Sequence, residues 1–568
     1  MSVDDTRLGE DEYKFASNVR NRFGTLEGIK NVNDVSSASL SGSEFTSNPP
    51  IQAIYSIGEF VFIFFDGGCK YRKPLNPDSS WAVLYAGGTM SRSAEIFVQA
   101  VPASTQNFLR KETRVAGASL ELDTDTAVQR TVAAIIVQDG LNQPRIVEIA
   151  GGSATHRAAK TYAEWVDGTY TSREYIPIGK QMAFFNNKLF VISIDGTEIY
   201  HSVSGRPMDF VVPITTAGNK INADETIGGA PATAYTVGYN IITALSVLNN
   251  ESLFVSTVGG SYAVMLDYTL TVFAEPMFKK QYLFTANSIN QHSFVDLLGD
   301  FAFIDPEGLR SFNAVMQSKN EGRNSIFSLK VARLFKDVVQ DTRKCAAIVF
   351  DDYALFACNT IFGHGILVFD TLTKQFVSFD QLTDDSNSNI GPIIDFAKVE
   401  TNNRRELFAV THGTTTSPSA PTYKCVKLFE GSNYATAYVE TRAFCTNDTR
   451  VEQKPQELRL LFSKLQSASS VTATQRVNDE TTPDTSAGSQ SKTLAAQSTP
   501  ITFPVTYAAV WSGPRQIQNL LYNFQGGQQG WKVSYALKWT NGINLSNIQL
   551  QTQNITPMNP MLSQAYVS

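Results

Sequence analysis

The sequence lacks clustered positive charge and long apolar runs. Its 568 residues carry a formal net charge of −6, and Lys and Arg form no basic run. Proteins that wrap nucleic acid need clustered cations against the phosphates, so tight DNA binding is not expected. No stretch approaches the roughly 18 apolar residues of a membrane helix. The acidic start, Met1–Tyr13, also lacks the apolar segment of a signal peptide, so we expect a soluble chain made in the cytoplasm.

Cysteine is scarce, and the spacing of the cysteines does not suggest pairs. The five cysteines are odd in number, widely spread and include no C-x-x-C pair: Cys69, Cys345, Cys358, Cys425 and Cys445. This pattern argues against a zinc site or a disulfide framework and predicts free thiols in a reducing compartment.

Motifs for common enzyme chemistry are also missing. There is no nucleophile elbow, phosphate-binding loop or dinucleotide-binding glycine pattern. The histidines are isolated, and none has the i, i+4 spacing of a metal site: His156, His201, His292, His364 and His412. We therefore predict no catalytic, cofactor-binding or metal-binding residues, and expect polar or packing roles for these histidines.

Two carboxylate pairs are candidate exceptions. Asp123 and Asp125 could ligate Ca²⁺ or flank a sugar, but a solvated turn is the favoured interpretation. Asp351 and Asp352 sit between two apolar runs, where Asp is favoured for hydrogen bonds from its side chain to the backbone of a turn.

What the sequence does contain is a series of hairpin patterns, supported by 36 Phe and 21 Tyr. In each, an apolar run of strand type enters a turn, mostly rich in Gly or Asp-Gly, and a second apolar run follows. Such turns supply the positive φ angles that tight hairpins need. The first runs of the seven patterns are Phe60–Phe65, Ala133–Val137, Leu189–Ile192, Leu253–Val255, Phe301–Ile304, Tyr353–Phe356 and Leu407–Val410.

The spacing of the hairpins predicts the architecture. From Val137 onward their centres recur about every 50 to 65 residues, close to the length of a four-stranded propeller blade. We predict an all-β fold, with an irregular β-propeller body of six or seven blades and a C-terminal β-sandwich-like module. A pair of β-sandwiches or an irregular multi-sheet body are the alternatives.

Composition suggests three regions. Residues 1–50 are predicted to be an N-terminal arm and entry strand. Residues 51–430 form the propeller, with an insertion near 93–130 that includes a possible helix at Phe108–Glu112. Residues 431–568 form the terminal module, with a flexible Ser/Thr-rich arm at 466–500. The best candidate for a short amphipathic helix is Ser328–Val339.

Three segments resemble the nozzle or tail-hub (tail tubular) proteins of short-tailed, podovirus-like bacteriophages. Asn18–Gly28 is similar to their opening R-x-R-x-G-x-L segment. Glu198–Phe210 resembles their recurrent I-x-x-S-x-x-G-x-P-x-x-F strand and turn, and is the most specific match. Gly526–Val533 resembles the glycine-then-strand close of their terminal β-module. The long insertion before Val137 and the Ser/Thr-rich arm depart from the family pattern.

The resemblance implies a structural virion protein of the phage tail. Such proteins form a ring, typically of six copies, below the portal and adaptor rings. They extend and gate the DNA channel, through which viral double-stranded DNA passes without specific binding, and they provide attachment for tail fibres or spikes. The segment Pro213–Asn240 and the Ser/Thr-rich arm are candidate constricting loops.

Two other functions are the alternatives. One is a propeller-bearing receptor-binding or spike protein that recognises cell-surface glycans. The other is a glycosidase, because Ser193–Thr197 resembles part of the Asp-box turn of sialidase-type propellers. That motif lacks its closing Trp and has no second copy, so the glycosidase is the least favoured.

Overall fold

The computed structural model describes a chain that is almost entirely β-strand. The described residues are 13–22, 25–35, 50–73, 81–92, 94–101, 111–114, 120–123, 134–150, 152–159, 175–202, 207–208, 210, 235–236, 240–248, 252–272, 275–297, 300–320, 329–385, 389–401, 404–412, 423–442, 444–445, 452–463, 469–477, 489–494, 517–523, 532–540 and 544–555.

Four short strands precede the main body. They are β1 (Tyr13–Ser17), β2 (Val19–Arg22), β3 (Thr25–Gly28) and β4 (Asn33–Asp34).

Seven antiparallel sheets then follow in chain order, which we number as blades 1 to 7. Blade 1 contains β5 (Ile51–Ile57), β6 (Phe60–Phe65), β7 (Gly68–Arg72) and β8 (Ala82–Tyr85). Blade 2 contains β9 (Phe97–Val101), β12 (Ala134–Gln138), β13 (Arg145–Ala150) and β14 (Ser153–Ala158), and the hairpin of β10 (Lys111–Arg114) and β11 (Leu120–Asp123) is inserted between its first two strands.

Blade 3 contains β15 (Gly179–Phe185), β16 (Lys188–Ser193), β17 (Glu198–His201) and β18 (Tyr235–Thr236). Blade 4 contains β19 (Ile242–Leu248), β20 (Ser252–Thr257), β21 (Gly260–Val272) and β22 (Glu275–Phe284).

Among the last three blades, blades 5 and 7 depart from simple four-strand repetition, whereas blade 6 keeps it. Blade 5 contains β23 (Phe294–Asp296), β24 (Phe301–Asp305) and β25 (Gly308–Ser311), and the helix α1 (Phe312–Asn320) follows it. Blade 6 contains β26 (Ala346–Phe350), β27 (Tyr353–Thr360), β28 (Gly363–Asp370) and β29 (Gln375–Asp380). Blade 7 contains β30 (Ile393–Thr401), β31 (Arg404–His412) and β32 (Tyr423–Lys427), with β4 as its fourth strand. Two 3-10 segments, Gln291–Ser293 and Leu329–Phe335, precede blades 5 and 6.

The blades close into a ring around one axis. The first strands of neighbouring blades contact each other, with the segment Gln291–Ser293 bridging blades 4 and 6, and β30 contacts β5 to complete the circle. The chain is therefore a seven-bladed β-propeller, and the predicted all-β propeller is confirmed. Each of the seven predicted hairpins is the second and third strand of one blade.

The core is divided into layers between blades because side chains alternate across each strand. In β6, Phe62 and Phe64 pack towards blade 2, whereas Val61, Ile63 and Phe65 pack towards blade 7. All six residues of β6 are buried, since both faces of the sheet are covered. A separate buried cluster lies between each pair of neighbouring blades, including the last and the first.

The turn between β6 and β7 requires glycine, as the sequence predicts. Asp66 and Gly67 have φ angles of 53° and 69°, which place both in the left-handed region of a tight hairpin turn. A Cβ atom added to Gly67 would lie 2.2 Å from the carbonyl oxygen of Met90. Both the backbone angle and the close approach of Met90 therefore favour glycine at this position.

Side-chain amides connect successive blades near the axis. The Gln138 oxygen accepts a hydrogen bond of 2.6 Å from the Gly179 amide, which connects blade 2 to blade 3. The Gln181 amide donates to the Thr243 carbonyl at 2.7 Å, which connects blade 3 to blade 4. These bonds satisfy backbone groups where one sheet ends and the next begins.

A second domain is built from both ends of the chain. One sheet has the order β1-β33-β39-β36-β37, with β34 also paired to β39, and the other has the order β2-β3-β40-β35-β38. Its later strands are β33 (Ala437–Thr441), β34 (Phe444–Cys445), β35 (Glu452–Ser463), β36 (Ser469–Val477), β37 (Ser489–Leu494), β38 (Ile517–Asn523), β39 (Lys532–Trp539) and β40 (Asn544–Ile555). The two sheets share one buried core that includes Trp539, Tyr535 and Phe462, so this module is a β-sandwich.

The N-terminal residues differ from the predicted arm that enters the first blade. Strands β1 to β3 complete the sandwich by pairing with β33 and β40, and β4 completes blade 7. The physical reason is that these short strands bury Ala16 and Val19 in the sandwich core, which no local partner could provide. The propeller is thus inserted between the two parts of the sandwich.

The segment 466–500 also differs from the predicted flexible arm, because it contains the paired strands β36 and β37. Val471 and Ala473 point into the sandwich core from β36, while the alternate positions carry polar residues. Two small apolar side chains in a Ser/Thr-rich context give a weak alternation signal, which explains the incorrect prediction.

The predicted helices are not α-helical where the structure describes them. Lys111 and Glu112, at the end of the Phe108–Glu112 candidate, belong to strand β10, and residues 108–110 lie outside the described part. The Ser328–Val339 candidate contains the 3-10 segment Leu329–Phe335, which is interrupted at Val331. Within the described residues, no helix has the length and apolar character needed to cross a membrane.

The sandwich is anchored to blade 6 by a buried ion pair. Arg20 on β2 places its Nη1 atom 2.6 Å from Oδ2 of Asp380, and side-chain exposure is 7% for Arg20 and 0% for Asp380. The other Asp380 oxygen accepts the Asn18 backbone amide at 2.8 Å and the Ser378 hydroxyl at 2.7 Å. Asn18, with φ of 58°, turns the chain from one sandwich sheet to the other directly beside this contact.

Candidate functional site

A polar pocket lies at one end of the propeller axis. We call this end the upper face; it carries the turns between the second and third strands of each blade and the connections between blades. A pocket of about 500 Å³ opens there, lined by residues of blades 1, 2, 5, 6 and 7 or of the segments leading into them. We call it the axial pocket. Representative lining residues, one from each blade, are Gln52, Glu95, His292, Arg343 and Tyr423.

A histidine between two carboxylates lies at the base of the axial pocket. Nδ1 of His292 is 3.1 Å from Oδ1 of Asp395, and its Nε2 is 3.8 Å from Oε1 of Glu95. Desolvation lowers the pKa of His292, but attraction to Asp395, the hydrogen bond to it and attraction to Glu95 outweigh this and raise the pKa to about 9. The ring is therefore a cation at neutral pH.

The two carboxylates occupy different environments. Burial raises the pKa of Glu95, opposed by the positive charges of His292 and Arg343. Asp395 also accepts the backbone amide of Ile54 at 3.0 Å through Oδ2 and that of Phe396 at 2.8 Å through Oδ1. The Ile54 bond joins blade 7 to blade 1, so the charge cluster is fixed at the point where the ring closes.

Asn290 contributes a buried acceptor to the axial pocket. Its amide nitrogen donates to the carbonyl of Thr342 and, at 2.8 Å, to that of Cys345, which fixes the orientation of the side chain. The residue is 6% exposed, and its Oδ1 has no hydrogen-bond partner among the described residues. A buried carbonyl oxygen of this kind favours a ligand that can donate a hydrogen bond.

An aromatic pair forms another wall of the axial pocket. The rings of His412 and Tyr423 have centroids 5.0 Å apart and meet edge to face at 71°. Both belong to blade 7, on either side of the connection between its second and third strands. Arg343, which is exposed, also lines the pocket.

The histidines and carboxylates singled out from the sequence lie at separate places in the structure. His201 is buried with Nδ1 3.1 Å from the Ser202 carbonyl, and burial lowers its pKa to about 4. Asp351 and Asp352 lie in the turn between β26 and β27, as predicted. Asp123 ends strand β11, and Asp125 lies outside the described residues. Among the described residues, no group of three or more His, Cys, Asp or Glu is placed to hold a metal ion.

The Asp-box-like turn is an internally bonded hairpin turn. The Asp195 carboxylate accepts hydrogen bonds from the hydroxyls of Ser193 and Thr197 and from the Thr197 backbone amide. These bonds lower the pKa of Asp195. Its oxygens are used to hold the turn of blade 3.

The four cysteines whose side chains are described are free and buried: Cys69, Cys345, Cys358 and Cys425. Burial raises the pKa of Cys345 to about 12, which keeps this thiol protonated at neutral pH.

An apolar surface lies on the upper face, away from the axis. Four aliphatic side chains on blades 2 to 4 are each at least half exposed: Leu141 (65%), Ile194 (50%), Ile241 (57%) and Val258 (62%). The segments that carry Ile194, Ile241 and Val258 are connected, because the amide of Ile242 donates to the Gly196 carbonyl at 2.8 Å and that of Val258 to the Ile241 carbonyl at 3.0 Å. We call these four residues the apolar arc.

Two carboxylates beside the apolar arc, Asp139 and Asp195, are used in internal hydrogen bonds. Asp139 accepts hydrogen bonds from the backbone amides of Leu141 and Asn142 and from the amide of Ser91. Asp195 is held within its own turn, as described above. The aliphatic side chains are therefore the groups that this surface offers to a partner.

The charge cluster predicts a pH dependence of stability. Because the pKa of His292 is raised in the folded state to about 9, its contribution is complete below pH 6.5 and is lost as pH rises towards 9. We expect His292→Gln to remove up to about 3 kcal/mol of stability at pH 6 and much less at pH 10. Urea unfolding of both proteins from pH 6 to 10 measures the difference. A difference that does not change with pH would contradict the assignment.

Comparisons with known proteins identify no family. No family model matches the chain, and no curated protein matches it. Similar solved structures include the Dos1 propeller, with 10% identity, a TM-score of 0.29, and coverage of 74% of this chain and 95% of that one. The N-terminal domain of Nup159 has 8% identity and a TM-score of 0.23, with coverage of 73% and 90%.

A third similar structure is a glycoside hydrolase family 43 arabinoxylan arabinofuranohydrolase from Bacillus subtilis. It has 6% identity, a TM-score of 0.20, and coverage of 89% of this chain and 96% of that one. These likenesses are distant, so the description of the chain as a seven-bladed propeller with a β-sandwich rests on its own sheet order and ring closure.

Proposed function

We propose that this chain is a structural protein of a phage tail, the nozzle or tail hub, in which identical copies form a ring. The observation that carries the proposal is the apolar arc. Exposed aliphatic side chains at the tips of three adjacent blades suit a contact between proteins. We propose that the arc docks on a different surface of the neighbouring copy, which is the heterologous contact that closes a ring.

The lower face of the propeller carries no comparable apolar surface among the described residues, which supports a contact through the upper face. The turns on the lower face carry polar residues, such as Asn186 and Asn187 in blade 3 and Asp351 and Asp352 in blade 6. Leu372, in a lower-face turn, is a single exposed aliphatic residue at 71%. Isolated exposed residues of this kind are common on soluble proteins, whereas a connected set is not.

The resembling segments have structural roles that fit a scaffold. Arg20, in the R-x-R-x-G-x-L segment, forms the buried ion pair that anchors the sandwich. In the second segment, Ile199, Ser202 and Phe210 are all buried in blade 3. Gly205 of that segment, residues 526–531 and nearly all of the candidate constricting loop 213–240 lie outside the described residues.

We propose that the DNA channel of the ring is not the propeller axis. Gln291, in the segment before blade 5, donates its amide to the Met182 carbonyl of blade 3 at 2.7 Å, so this side chain reaches across the inner ends of the blades. The proposed lumen therefore lies between subunits. Portal and adaptor proteins would dock at one end of such a ring, and fibres or spikes would attach at its periphery.

The test is the oligomeric state. We expect native mass spectrometry and electron microscopy of the full chain to show a ring with a lumen wide enough for duplex DNA, alone or with a portal–adaptor complex. A trimer with a closed axis would instead indicate the spike that recognises glycans. A monomer that forms no ring even with a portal–adaptor complex would overturn the proposal.

Substitutions in the apolar arc test the proposed contact. We expect Ile194→Asp combined with Val258→Asp to convert the ring to monomers, because charges would be buried in an apolar interface. Both side chains are at least half exposed, so the melting temperature of the monomer should change by only a few degrees. Leu372→Asp, on the opposite face, is the matched control and should leave the ring intact. A ring that persists in the double variant would exclude the arc as the contact.

A further inference from the structure

We propose that the axial pocket binds one neutral, hydroxyl-rich ring, a pyranose unit of a glycan. This inference goes beyond the proposed structural function and does not depend on it. Ring assembly leaves three features of this pocket without a role: the buried acceptor Asn290, the charge cluster around His292, and the aromatic wall at Tyr423.

The ionic groups of the axial pocket balance in pairs. Arg92 is 3.2 Å from Asp66, Lys344 is 2.9 Å from Asp341, and His292 lies between Glu95 and Asp395. The lining itself contains four cations, including exposed Arg343, and two anions, Glu95 and Asp341. Asp66 and Asp395, which pair with lining residues from outside the lining, bring the total to four cations and four anions. The net charge is zero, so the pocket as a whole attracts neither a cation nor an anion strongly.

The hydrogen-bonding groups suit hydroxyls. The buried Oδ1 of Asn290 needs a donor, and both protons of its amide are already used, so the side chain cannot turn over without losing two bonds. Glu95 offers further acceptor oxygens, whereas Arg343 offers donors. A sugar hydroxyl both donates and accepts, so neighbouring hydroxyls on one ring can satisfy acceptors and donors that lie close together.

The walls suit the faces of a sugar ring. Tyr423 presents an aromatic ring, and Ile51 and Ile394 add apolar surface. The C–H groups on one face of a pyranose carry slight positive charge and favour contact with an aromatic face. A volume of about 500 Å³ lies within the range of small-molecule sites, roughly 300–1,000 Å³. Apolar walls with a few fixed polar groups are the usual composition of such sites.

The experiment uses the full chain and a panel of simple glycosides. Saturation-transfer NMR and calorimetry would be run with the methyl glycosides of glucose, galactose, mannose and N-acetylglucosamine. The methyl glycoside of sialic acid serves as an anionic probe and glucosamine as a cationic one. We expect saturable binding of at least one neutral glycoside, with Kd on the order of 1 mM as is typical of weak single-unit contacts.

Two variants locate the binding site. We expect Arg343→Gln and Tyr423→Ala each to weaken the neutral glycoside at least tenfold, while Arg405→Gln, an exposed arginine on the lower face, leaves it unchanged. Arg343 is exposed, so we expect Arg343→Gln to fold normally and loss of folding not to confuse the result. Binding that survives both variants would place the site elsewhere and overturn the proposal.

Two further outcomes would also overturn it: no binding of any neutral glycoside, or stronger binding of either charged probe. The oligomeric state of the same samples shows separately whether the proposed structural function holds. Loss of sugar binding in an intact ring is therefore distinguishable from failure of the ring itself.

Discussion

Replacing Asp380 by Ala should destabilise the protein by about 3–5 kcal/mol, because it leaves the guanidinium of Arg20 buried without its counter-charge. The carboxylate also accepts the Asn18 amide and the Ser378 hydroxyl, and both donors would lose their partner. Since this contact joins the sandwich to blade 6, we expect the sandwich to open before the propeller. Urea unfolding, followed by hydrogen exchange in each domain, measures both the loss and its location.

Two controls separate the ion pair from a general effect of substitution. Asp352→Asn, in an exposed turn of the same blade, should change stability by less than about 0.5 kcal/mol. The double variant Arg20→Met with Asp380→Leu should recover much of the loss, because an apolar pair avoids the cost of burying unpaired charge. Equal losses in the single and double variants would show that the ion pair is not the cause.

Phe254→Ala should cost about 3–5 kcal/mol, the usual range for removing a large buried aromatic side chain. Phe254 is fully buried on β20 and lies at the centre of a phenylalanine cluster between blades 4 and 5. Its ring centroid lies between 5.5 and 6.5 Å from those of five others: Phe284, Phe294, Phe301, Phe303 and Phe312.

The cluster matters because blade 5 has three described strands and is followed by the helix α1, which begins at Phe312. Aromatic side chains from blades 4 and 5 and from the helix fill the core between these two blades. Phe362→Ala is the control, since that ring is 50% exposed and should cost much less. Denaturant unfolding measures both variants, and similar losses in the two would contradict a central role for Phe254.

The hairpins were predictable from sequence because the second strand of each blade is almost entirely buried, on both faces of the sheet. Such strands are continuous apolar runs, as in Phe60–Phe65, and the turn after them needs Asp-Gly or Gly at positive φ. The first and fourth strands are partly exposed and mix polar with apolar residues, so their sequence signal is weak.

The pairing of the chain ends could not be predicted, because it depends on contacts between residues far apart. Tyr13 pairs with Thr441, and Leu26 with Leu545, and nothing local in either strand specifies its partner. The same limit applies to the axial pocket. His292, Glu95 and Asp395 each look isolated in sequence, and only closure of the ring brings them together.

The division of the sandwich between the two chain ends sets an order of events during synthesis. Strands β1 to β3 emerge first, but β33 begins at Ala437 and β40 at Asn544. At about 5–20 residues per second, the early strands wait roughly 20 to 80 seconds for β33 and longer for β40. Blades 1 to 6 can form in that interval, while blade 7 needs β4 from the waiting segment. The nascent N-terminal strands therefore have unpaired edges for most of translation, which makes them the part of the chain with most need of a chaperone.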